Sequence, residues 1–312
     1  MSERPERILL TGASGFVGHH LRNALAAAFP AAALTMPAFD LADDAAVDSA
    51  VRDVAPDVCI HLAAVSAIAA AERNERQAWD VNLHGTLRLA HALLRHVPGC
   101  QMIFPASADA YGRSFRSGSA LDESAPLAPM NIYGATKAAA DLALGAMAER
   151  GLRVIRLRLF NHIGQGQSCR FVVSTFARQV ARISVGRQAP IIEVGNIDTW
   201  RDFLDVRDVC TAYVACINRR DALTPGIILN IASGTPRRIA DILADLQTMA
   251  GTRAEVRVDQ SQVRDTDIHL GCGNAALARD QLDWTPVIAW HQTLHDVLDD
   301  WHERAAAEIG DV

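Results

Sequence analysis

The segment Thr11-Gly12-Ala13-Ser14-Gly15-Phe16-Val17-Gly18 follows a short apolar run at Arg7–Thr11 and opens an Ala/Leu-rich stretch of helical period at Phe16–Phe29. Glycine lets the backbone turn tightly and approach a pyrophosphate, and a helix N-terminus supplies unpaired N–H groups and a positive dipole. A glycine triplet alone can be a plain turn, but this strand–turn–helix setting indicates dinucleotide binding. The cofactor-binding residues predicted in the segment are Gly12, Ser14, Gly15, Phe16, Val17 and Gly18.

Short apolar runs alternate with longer segments of helical period through the first half of the chain. Strands that are apolar throughout and separated by helices are typical of a parallel sheet covered on both faces. We therefore expect an α/β fold with a doubly wound parallel sheet (Rossmann) and a smaller C-terminal α/β substrate-binding lobe. The expected strands are Arg7–Thr11, Ala32–Thr35, Asp57–Leu62, Gln101–Pro105 and Arg153–Phe160. The expected helices are Phe16–Phe29, Asp44–Val54, Gln77–Arg95 and Tyr133–Arg150.

The alternation loosens after residue 163. We expect a Rossmann domain at residues 1–163 and a substrate lobe at 164–312, with segments around 202–220 packing back on the first domain. Arg113–Asn131 contains Gly, Ser and Pro and is expected to be a loop over the site. The expected elements of the lobe are helices at Phe171–Ser184, Val206–Asn218 and Ile239–Ala250, strands at Pro190–Val194, Ile227–Ala232 and Glu255–Asp259, and a terminal helix.

Composition excludes several classes of protein. Half of the 312 residues are apolar and 21% are charged, which excludes a disordered chain. The net charge of −6 gives no basic footprint for nucleic acid or an anionic membrane. The longest apolar stretch, Leu62–Ala71, is too short to span a bilayer, and the apolar run near the N-terminus is too short to suggest a signal peptide. The six cysteines form no CxxC pair, so we expect reduced thiols and a cytoplasmic protein without a bound metal.

Tyr133 and Lys137 form the second strong feature. They lie four residues apart in a predicted helix, so their side chains share one face. Lys137 is the only lysine among the 30 basic residues, and the chain has only three tyrosines. Chance alone would rarely place the lysine four residues after a tyrosine. An ammonium beside a phenol lowers the pKa of the phenol, which predicts that Tyr133 exchanges a proton and that Lys137 also contacts a cofactor ribose.

Two further positions lie near the predicted sheet edge. Ser107 follows the strand Gln101–Pro105, where its hydroxyl would polarise a carbonyl group. The acid that usually binds the ribose of NAD at the end of the second strand is missing, since Met36 and Pro37 stand there. NAD and NADP therefore both remain open, with a slight preference for NADP. The following Asp40-Leu41 is either an adenine contact or a helix N-cap.

These residues together resemble the extended short-chain dehydrogenase/reductases, over the stretch from Arg7 to Trp301. Further matches are His61-Leu62-Ala63-Ala64, Val81-Asn82-Leu83-His84-Gly85-Thr86, and Tyr111-Gly112. The resemblance implies a catalytic triad of Ser107, Tyr133 and Lys137, with NADP(H) or NAD(H) as the cofactor. It adds Asp40, Leu41, Leu62, Ala63, Ala64 and Asn82 to the expected cofactor-binding residues.

The C-terminal half is similar to GDP-4-keto-6-deoxymannose reductases. The similar segments are Arg158–Gly164, Phe171–Arg182 and Gly195–Phe203, although Gln165 stands where those proteins carry Pro. The last segment is shared with GDP-mannose dehydratases, so it indicates a GDP-sugar more than one reaction. A structural ion pair between Arg201 and Asp202 is the alternative reading of that segment. The substrate-binding residues implied are Ser107, Asp109, Tyr133, Asn161, Val172, Arg182, Arg201, Arg264 and Asp267.

The segment Ser107-Ala108-Asp109 separates the candidate reactions. Dehydratases of this family place Glu two residues after the catalytic Ser or Thr, because elimination needs an acid and a base besides the redox triad. Asp109 is one methylene shorter and Ala108 cannot ionise, so we expect reduction of a GDP-4-keto-6-deoxyhexose. The alternatives are a GDP-mannose 4,6-dehydratase, a nucleotide-sugar 4-epimerase and, in another class, a redox-silent NAD(P)-binding regulator.

Partners and metals follow from the same reading. The resemblance implies a homodimer that pairs through the helices Gln77–Arg95 and Tyr133–Arg150. His291 and His295 have a spacing that suits a metal, but no third ligand is identifiable, so they are expected on a solvated helix face. The configuration of the product at C4 does not follow from the sequence.

Overall fold

The computed structural model describes residues 5–263 and 268–307 and contains three β-sheets and eleven α-helices within those ranges. The strands are β1 (Arg7–Thr11), β2 (Ala33–Thr35), β3 (Val58–His61), β4 (Gln101–Ser107), β5 (Val154–Leu159), β6 (Asn161–Ile163), β7 (Ile191–Val194), β8 (Trp200–Asp205), β9 (Ile228–Ile231), β10 (Pro236–Arg238), β11 (Glu255–Val258) and β12 (Leu270–Gly271). The α-helices are α1 (Phe16–Ala28), α2 (Asp44–Val54), α3 (Ile68–Arg73), α4 (Glu75–Trp79), α5 (Thr86–His96), α6 (Ile132–Ala148), α7 (Val172–Ser184), α8 (Val206–Arg219), α9 (Ile239–Met249), α10 (Ala276–Leu282) and α11 (Trp290–Ala307).

The large sheet has the strand order β2-β1-β3-β4-β5-β9, and every neighbouring pair is parallel. Apolar side chains on α1, α8 and α10 cover one face, and those on α2, α5 and α6 cover the other. Because both faces are covered, the central strands are buried along their whole length, as their continuous apolar sequences predict. The doubly wound parallel sheet is confirmed, and the five strands expected in the first half differ by at most two residues at either end.

The predicted helix Gln77–Arg95 is confirmed as a continuous helical stretch, but it is not α-helical throughout. The chain forms α4, then a π-helical turn at Asp80–Gly85, then α5. The turn packs closely, since a Cβ added to Gly85 would lie 2.8 Å from Cβ of Leu41. The hydrophobic pattern of so short a segment does not distinguish a π-helical turn from an α-helix. The sequence therefore predicted one helix without the turn.

The C-terminal half returns to the large sheet more than the sequence indicated. The helix α8 packs on α1, as expected for the segments around 202–220, but β9 also pairs with β5 in the large sheet. Ile228–Ile231 therefore belongs to the Rossmann sheet rather than to the lobe. The boundary at residue 163 stays a prediction about folding units, because the sheet itself does not follow that division.

The C-terminal lobe is built around β8. This strand pairs with β6, β10 and β12, while β7 and β11 form a separate two-stranded sheet. The helices α7, α9 and α11 bury their apolar faces together beside these strands. The strands β6, β8, β10 and β12 were not predicted, since each is short or mixes charged with apolar residues, and neither α3 nor α10 was predicted.

Arg113–Asn131 is irregular beyond Ser117, as expected, and its contacts anchor it beside the cavity. Its first part is a 3₁₀ helix at Gly112–Ser117, and Phe115 and Leu121 are buried in a cluster with Phe160. Nη1 of Arg158 donates a hydrogen bond of 3.0 Å to the carbonyl oxygen of Glu123. Phe115 alone of this segment lines the cavity described below. No helix within residues 5–263 and 268–307 has the length and hydropathy to cross a membrane.

An ion cluster fixes α6 to β5. The carboxylate of Asp141 on α6 is fully buried, and it accepts hydrogen bonds from Nε of Arg158 at 2.8 Å and from Nη1 of Arg156 at 3.0 Å. A buried carboxylate is tolerated only when it is paired and hydrogen-bonded, and both conditions hold here. The helix α6 carries Tyr133 and Lys137, so the cluster also sets their height above the sheet.

Asp141→Asn is expected to lower the free energy of unfolding by about 3 kcal/mol, because the buried guanidinium of Arg158 and the partly buried one of Arg156 then face a neutral amide. Urea unfolding measures the change. The control is Asp48→Asn, which breaks the partly exposed pair of Asp48 with Arg95 and is expected to change stability by less than about 1 kcal/mol. Equal effects of the two substitutions would contradict the role given to Asp141.

Candidate active site

A cavity of about 560 Å³ lies at the carboxyl edge of the large sheet, between that sheet and the C-terminal lobe. Ligands of open α/β sheets bind at this edge, where parallel strands end together. The residues predicted from sequence that line it are Gly12, Ser14, Gly15, Phe16, Val17, Gly18, Leu62, Ala63, Ala64, Ser107, Asp109, Tyr133, Lys137, Asn161, Val172 and Arg201.

The turn between β1 and α1 leaves no room for side chains. Gly12 has φ +69°, and a Cβ there would lie 2.5 Å from the backbone nitrogen of Ala63. A Cβ on Gly18 would lie 2.5 Å from the carbonyl oxygen of Gly12. The N-cap of α1 is Gly15, which offers no side-chain acceptor to the first N–H groups of the helix. These residues fit a dinucleotide, because its pyrophosphate would satisfy those N–H groups.

Three residues expected at the cofactor are not among the described residues that line the cavity. Oδ1 of Asp40 accepts a hydrogen bond of 2.8 Å from the backbone nitrogen of Ala42, and Leu41 is buried. The side chain of Asn82 accepts from the nitrogen of Val65 at 2.8 Å and donates to its carbonyl oxygen at 3.1 Å. Asn82 therefore shapes the segment after β3, and a direct cofactor contact for these three residues stays a prediction.

Ser107, Tyr133 and Lys137 come together as predicted. Ser107 ends β4, and Tyr133 lies in the first turn of α6, whose N-cap Asn131 accepts a hydrogen bond from the nitrogen of Gly134 at 2.7 Å. A Cβ on Gly134 would lie 2.6 Å from the carbonyl oxygen of Asp109, so the start of α6 packs directly on the turn after β4. This close packing places the phenol beside the Ser107 hydroxyl.

The expected fall in the pKa of Tyr133 is wrong. Burial raises the pKa of the phenol, the Asp109 carboxylate raises it further, and the Ser107 hydroxyl only partly opposes them. Burial also lowers the pKa of Lys137 to about 7, although the carboxylate of Asp141 favours its charged form. Both changes have one cause, since removal from water disfavours any charged group. Tyr133 therefore holds its proton at neutral pH.

Lys137 is 3% exposed, and its Nζ lies 4.2 Å from the centre of the Phe104 ring. The ring of His61 also stacks with Phe104, and its nitrogens interact with the hydroxyls of Thr11 at 2.7 Å and Thr86 at 3.1 Å. Burial and the nearby ammonium lower the pKa of His61 to about 3, so this ring is neutral. His61 therefore adds no positive charge beside Lys137.

The residues expected at the substrate divide into three groups. Asn161, Val172 and Arg201 line the cavity. Arg182 lies in a separate depression with Arg178 and Glu193. It is not among the described residues that line the cavity, where the resemblance had placed it. Arg264 and Asp267 lie outside the described residues.

Arg201 is held by backbone oxygens. Its Nη1 donates to the carbonyl oxygen of Ile268 at 2.6 Å and to that of Trp200 at 2.9 Å. The neighbouring Asp202 is fully buried, and its carboxylate accepts hydrogen bonds from the nitrogens of Ser233, Gly234 and Gly273. Asp202 thus ties three segments of chain together, which differs from the simple Arg201–Asp202 pair considered as the structural alternative.

Sequence reasoning missed several residues of the cavity. His162 belongs to the segment Arg158–Gly164 and Tyr213 to the predicted helix Val206–Asn218. Neither was assigned a role from sequence, yet both line the cavity. Gln167 is buried beside them and belongs to the segment after β6. At the departure from the resembled pattern, the carbonyl oxygen of Gln165 lies 2.8 Å from Nε2 of His20. On α11, His295 pairs with Asp299 on an exposed face, as expected.

Gly18→Ala is expected to weaken NADPH binding at least about tenfold, because the added Cβ displaces the backbone of the turn. Fluorescence titration measures the dissociation constant. The control is Gly99→Ala, since a Cβ on Gly99 meets no described atom within 4 Å. Tight binding by Gly18→Ala would show that this turn does not hold the dinucleotide.

Lys137→Met tests the burial of the ammonium. The folded pKa of about 7 lies below the ordinary value of 10.5, so between these pH values the unfolded chain binds a proton that the folded chain lacks. The stability of the wild type should therefore rise with pH across this window, and the penalty is largest at low pH. We expect the variant to be more stable by about 2 kcal/mol or more at pH 6, with the gain shrinking by pH 9 in urea unfolding. An equal difference at both pH values would contradict a low pKa.

Comparison with known proteins agrees with this site. Residues 8–232 match the family model described as the NAD dependent epimerase/dehydratase family. The chain is 36% identical over 306 residues to GDP-6-deoxy-D-mannose reductase of Pseudomonas aeruginosa, covering 97% of this chain and 99% of that protein. It is 26% identical over 326 residues to UDP-glucose 4-epimerase of Streptomyces lividans, covering 95% and 96%.

Solved structures give the same picture. The structure of RMD from Pseudomonas aeruginosa complexed with NADPH has a TM-score of 0.87 and 34% identity, covering 96% of this chain and 99% of that one. A putative epimerase from Burkholderia cenocepacia J2315 has a TM-score of 0.82 and 30% identity, covering 96% and 100%. The glycine turn, the Ser107–Tyr133–Lys137 group and these matches together establish that the chain belongs to the NAD dependent epimerase/dehydratase family, and the resemblance to extended short-chain dehydrogenase/reductases is confirmed.

Proposed function

We propose that this protein is an NAD(P)H-dependent reductase that converts a GDP-4-keto-6-deoxyhexose to a GDP-deoxyhexose such as GDP-D-rhamnose. The observation that carries the proposal is the arrangement of Tyr133, Ser107 and Lys137 at one cavity, with the phenol held protonated by burial. A carbonyl reduction needs a proton donor at the keto oxygen, and a protonated phenol supplies it. The reductase from Pseudomonas aeruginosa, 36% identical over 97% of this chain, supports the same reaction.

The residues would act as follows. The bound nicotinamide cofactor supplies the hydride. Tyr133 donates its proton to the keto oxygen, and the Ser107 hydroxyl hydrogen-bonds to the same oxygen and polarises the carbonyl. Lys137 stabilises the phenolate that remains, since opposite charges attract strongly where water is excluded. Burial lowers the pKa of Lys137 to about 7, and a neighbouring phenolate would favour its charged form.

NADPH is the cofactor that we favour. No acid stands directly after β2, where Met36 is 41% exposed and Pro37 follows it, so the carboxylate that would usually repel a 2′-phosphate at this position is missing. The neighbouring structure from Pseudomonas aeruginosa was solved with NADPH. Lys137 would bind the ribose, because it lies on the same face of α6 as Tyr133.

Asn161 and Arg201 are proposed to hold the sugar and the diphosphate. Arginine binds phosphate through two parallel N–H groups, and the backbone oxygens of Trp200 and Ile268 leave its fork in a fixed orientation. Val172 at the start of α7 contributes an apolar wall. Contacts of Arg264 and Asp267 with the nucleotide end, and any contact of Arg182, stay predictions.

A GDP-mannose 4,6-dehydratase is the second candidate, because Asp109 lies at the cavity. The backbone nitrogen of Asp109 donates a hydrogen bond of 3.1 Å to Oγ of Ser107, and the Asp109 carboxylate raises the pKa of Tyr133. A base in this place would serve elimination, but the adjacent Ala108 supplies no second ionisable group. A nucleotide-sugar 4-epimerase is the third candidate, and a redox-silent regulator has no use for the assembled triad.

We also propose a cytoplasmic homodimer that pairs through α5 and α6. Leu142, on α6, is 60% exposed, which is a large exposure for an apolar side chain in the middle of a helix. An apolar residue in that place is suited to contact with a second copy of the chain. The cytoplasmic location is supported by the six cysteines, which form no CxxC pair and of which five are buried.

Tyr133→Phe is expected to lower kcat for GDP-4-keto-6-deoxymannose at least about 100-fold while leaving the dissociation constant of NADPH nearly unchanged, because only the proton donor is lost. Oxidation of NADPH or NADH is followed by absorbance. The control variant is Tyr111→Phe, which removes a hydroxyl bonded to Asn230 away from the cavity lining and should affect stability more than turnover.

The substrate control for the same assay is GDP-mannose. Cofactor oxidation with the keto-sugar alone supports the reductase, and NMR of the product then gives the configuration at C4. Conversion of GDP-mannose to a keto-sugar without net cofactor use would contradict the proposal and favour the dehydratase. Normal turnover by Tyr133→Phe would refute the role of Tyr133.

A further inference from the structure

One wall of the cavity beside the catalytic group is apolar, and the proton transfer proposed above does not use it. Ser107 lies opposite Leu159 in the register of β4 and β5. The residues that follow these two in the chain, Ala108 and Phe160, both line the cavity, and so does Phe115. Ala108, Phe115 and Phe160 are called the apolar wall here. The apolar wall therefore begins one residue away from the position where the substrate is reduced.

The apolar wall is the side of a hydrophobic cluster that faces the cavity. Phe115 and Phe160 are buried, with ring centroids 6.1 Å apart and an angle of 82° between the rings. Tyr111 packs against Phe115 at 5.9 Å, but its hydroxyl donates to Oδ1 of Asn230 and it is not among the described residues that line the cavity. The side chains of the apolar wall thus offer a ligand only carbon atoms and ring edges.

The backbone holds the two rings in place. A Cβ on Gly273 would lie 2.6 Å from Cε2 and Cζ of Phe160, so the chain lies directly against that ring. A Cβ on Gly112 would overlap the carbonyl oxygen of Ala128, and this close approach fixes the start of the 3₁₀ helix that carries Phe115. Rings held in this way cannot move aside for a group that does not fit.

The proposed substrate has two different groups next to its reacting carbon. C3 of a 4-keto-6-deoxyhexose carries a hydroxyl, whereas C5 carries the methyl group C6. A hydroxyl against the apolar wall would lose its hydrogen bonds to water without gaining a partner. A methyl group in the same place is stabilised by its removal from water. When Ser107 and Tyr133 hold the keto oxygen on C4, the methyl side of the sugar is therefore the side that fits the apolar wall.

We propose that the apolar wall is the subsite for the C6 methyl group and that Ala108 is a specificity-determining residue within it. The inference rests on the proposed function and narrows its substrate class to sugars without a hydroxyl on C6. Ala108 follows Ser107 directly, so its side chain is the part of the apolar wall that comes next to the group that holds the keto oxygen. A polar side chain at this position would give a 6-hydroxyl the partner that alanine denies it.

Asp109 is the polar cavity residue that comes next in the chain, and its interactions are with the catalytic group. Its Oδ2 lies 3.5 Å from Oγ of Ser107, and its charge raises the pKa of Tyr133. Both of these residues hold the keto oxygen, so we assign the carboxylate to that part of the sugar and not to C6. A carboxylate that reached C6 would make a 6-hydroxyl acceptable, and the test below detects that.

The test compares GDP-D-rhamnose with GDP-D-mannose, which differ only in the hydroxyl on C6. Calorimetry on the complex with NADPH measures both dissociation constants, because a sugar alcohol and a reduced cofactor do not react with each other. GDP, which has no sugar, is the third probe. The variant is Ala108→Ser, which adds one hydroxyl to the apolar wall. The control is Ala125→Ser, the same change at a residue that packs on the same hydrophobic cluster but is not among the described residues that line the cavity.

We expect the wild type to bind GDP-D-rhamnose about 10- to 100-fold more tightly than GDP-D-mannose, the effect of one hydroxyl placed against an apolar surface. Ala108→Ser should reduce this preference by about 3- to 10-fold, because the serine hydroxyl forms one neutral hydrogen bond with the 6-hydroxyl. Ala125→Ser should keep the preference. Both variants should bind GDP as the wild type does, which separates an effect on the methyl subsite from a general loss of structure.

Three results would overturn the inference. Equal affinity of the wild type for the two GDP-sugars would show that C6 does not contact the apolar wall. An unchanged preference in Ala108→Ser, or an equal loss of preference in Ala125→Ser, would show that Ala108 does not determine it. Each of these results leaves the proposed function intact, because GDP and the GDP-sugars still bind. A wild type that binds none of the three probes would overturn the proposed function itself.

Discussion

The close approach of the β1–α1 turn to the backbone after β3 is the constraint on which the site depends. A Cβ on Gly12 would overlap the backbone of Leu62 and Ala63, and one on Gly18 would overlap Gly12 itself. Only glycine permits this approach, and it brings the uncapped start of α1 to the edge of the sheet. Every other group of the cavity is placed relative to that edge, because β3, β4 and β5 end beside it.

Burial controls the chemistry of the groups at that edge. It raises the pKa of Tyr133 and lowers those of Lys137, His61 and His162. Each group alone therefore resists charge. When Tyr133 gives up its proton, the phenolate and the ammonium of Lys137 stabilise each other, so the two charges form more easily together than either does alone. Such coupling suits a reduction, in which negative charge develops only while the hydride is transferred.

The sequence predicted the large sheet and the catalytic group, because both leave local signals. Apolar runs gave β1 to β5, and the spacing of Tyr133 and Lys137 gave a shared helix face. It did not reveal β6 or β8, whose short mixed sequences carry no period. It also gave the wrong direction for the pKa of Tyr133. Spacing shows that a cation is near, but the depth at which both groups are buried depends on distant segments, and burial is the larger effect here.

The pairing of β6 with β8 fixes the positions of the cavity residues on these two strands relative to one another. Asn161 and His162 on β6 lie opposite Phe203 and Leu204 on β8, and Arg201 lies two residues before that contact. The carbonyl oxygen of Asp202 also accepts a hydrogen bond of 3.3 Å from Nδ2 of Asn161. The residues proposed to hold the sugar and the diphosphate thus lie on two adjacent strands. Their separation is set by a β-ladder, which tolerates less displacement than a loop and leaves specificity to the side chains that the ladder carries.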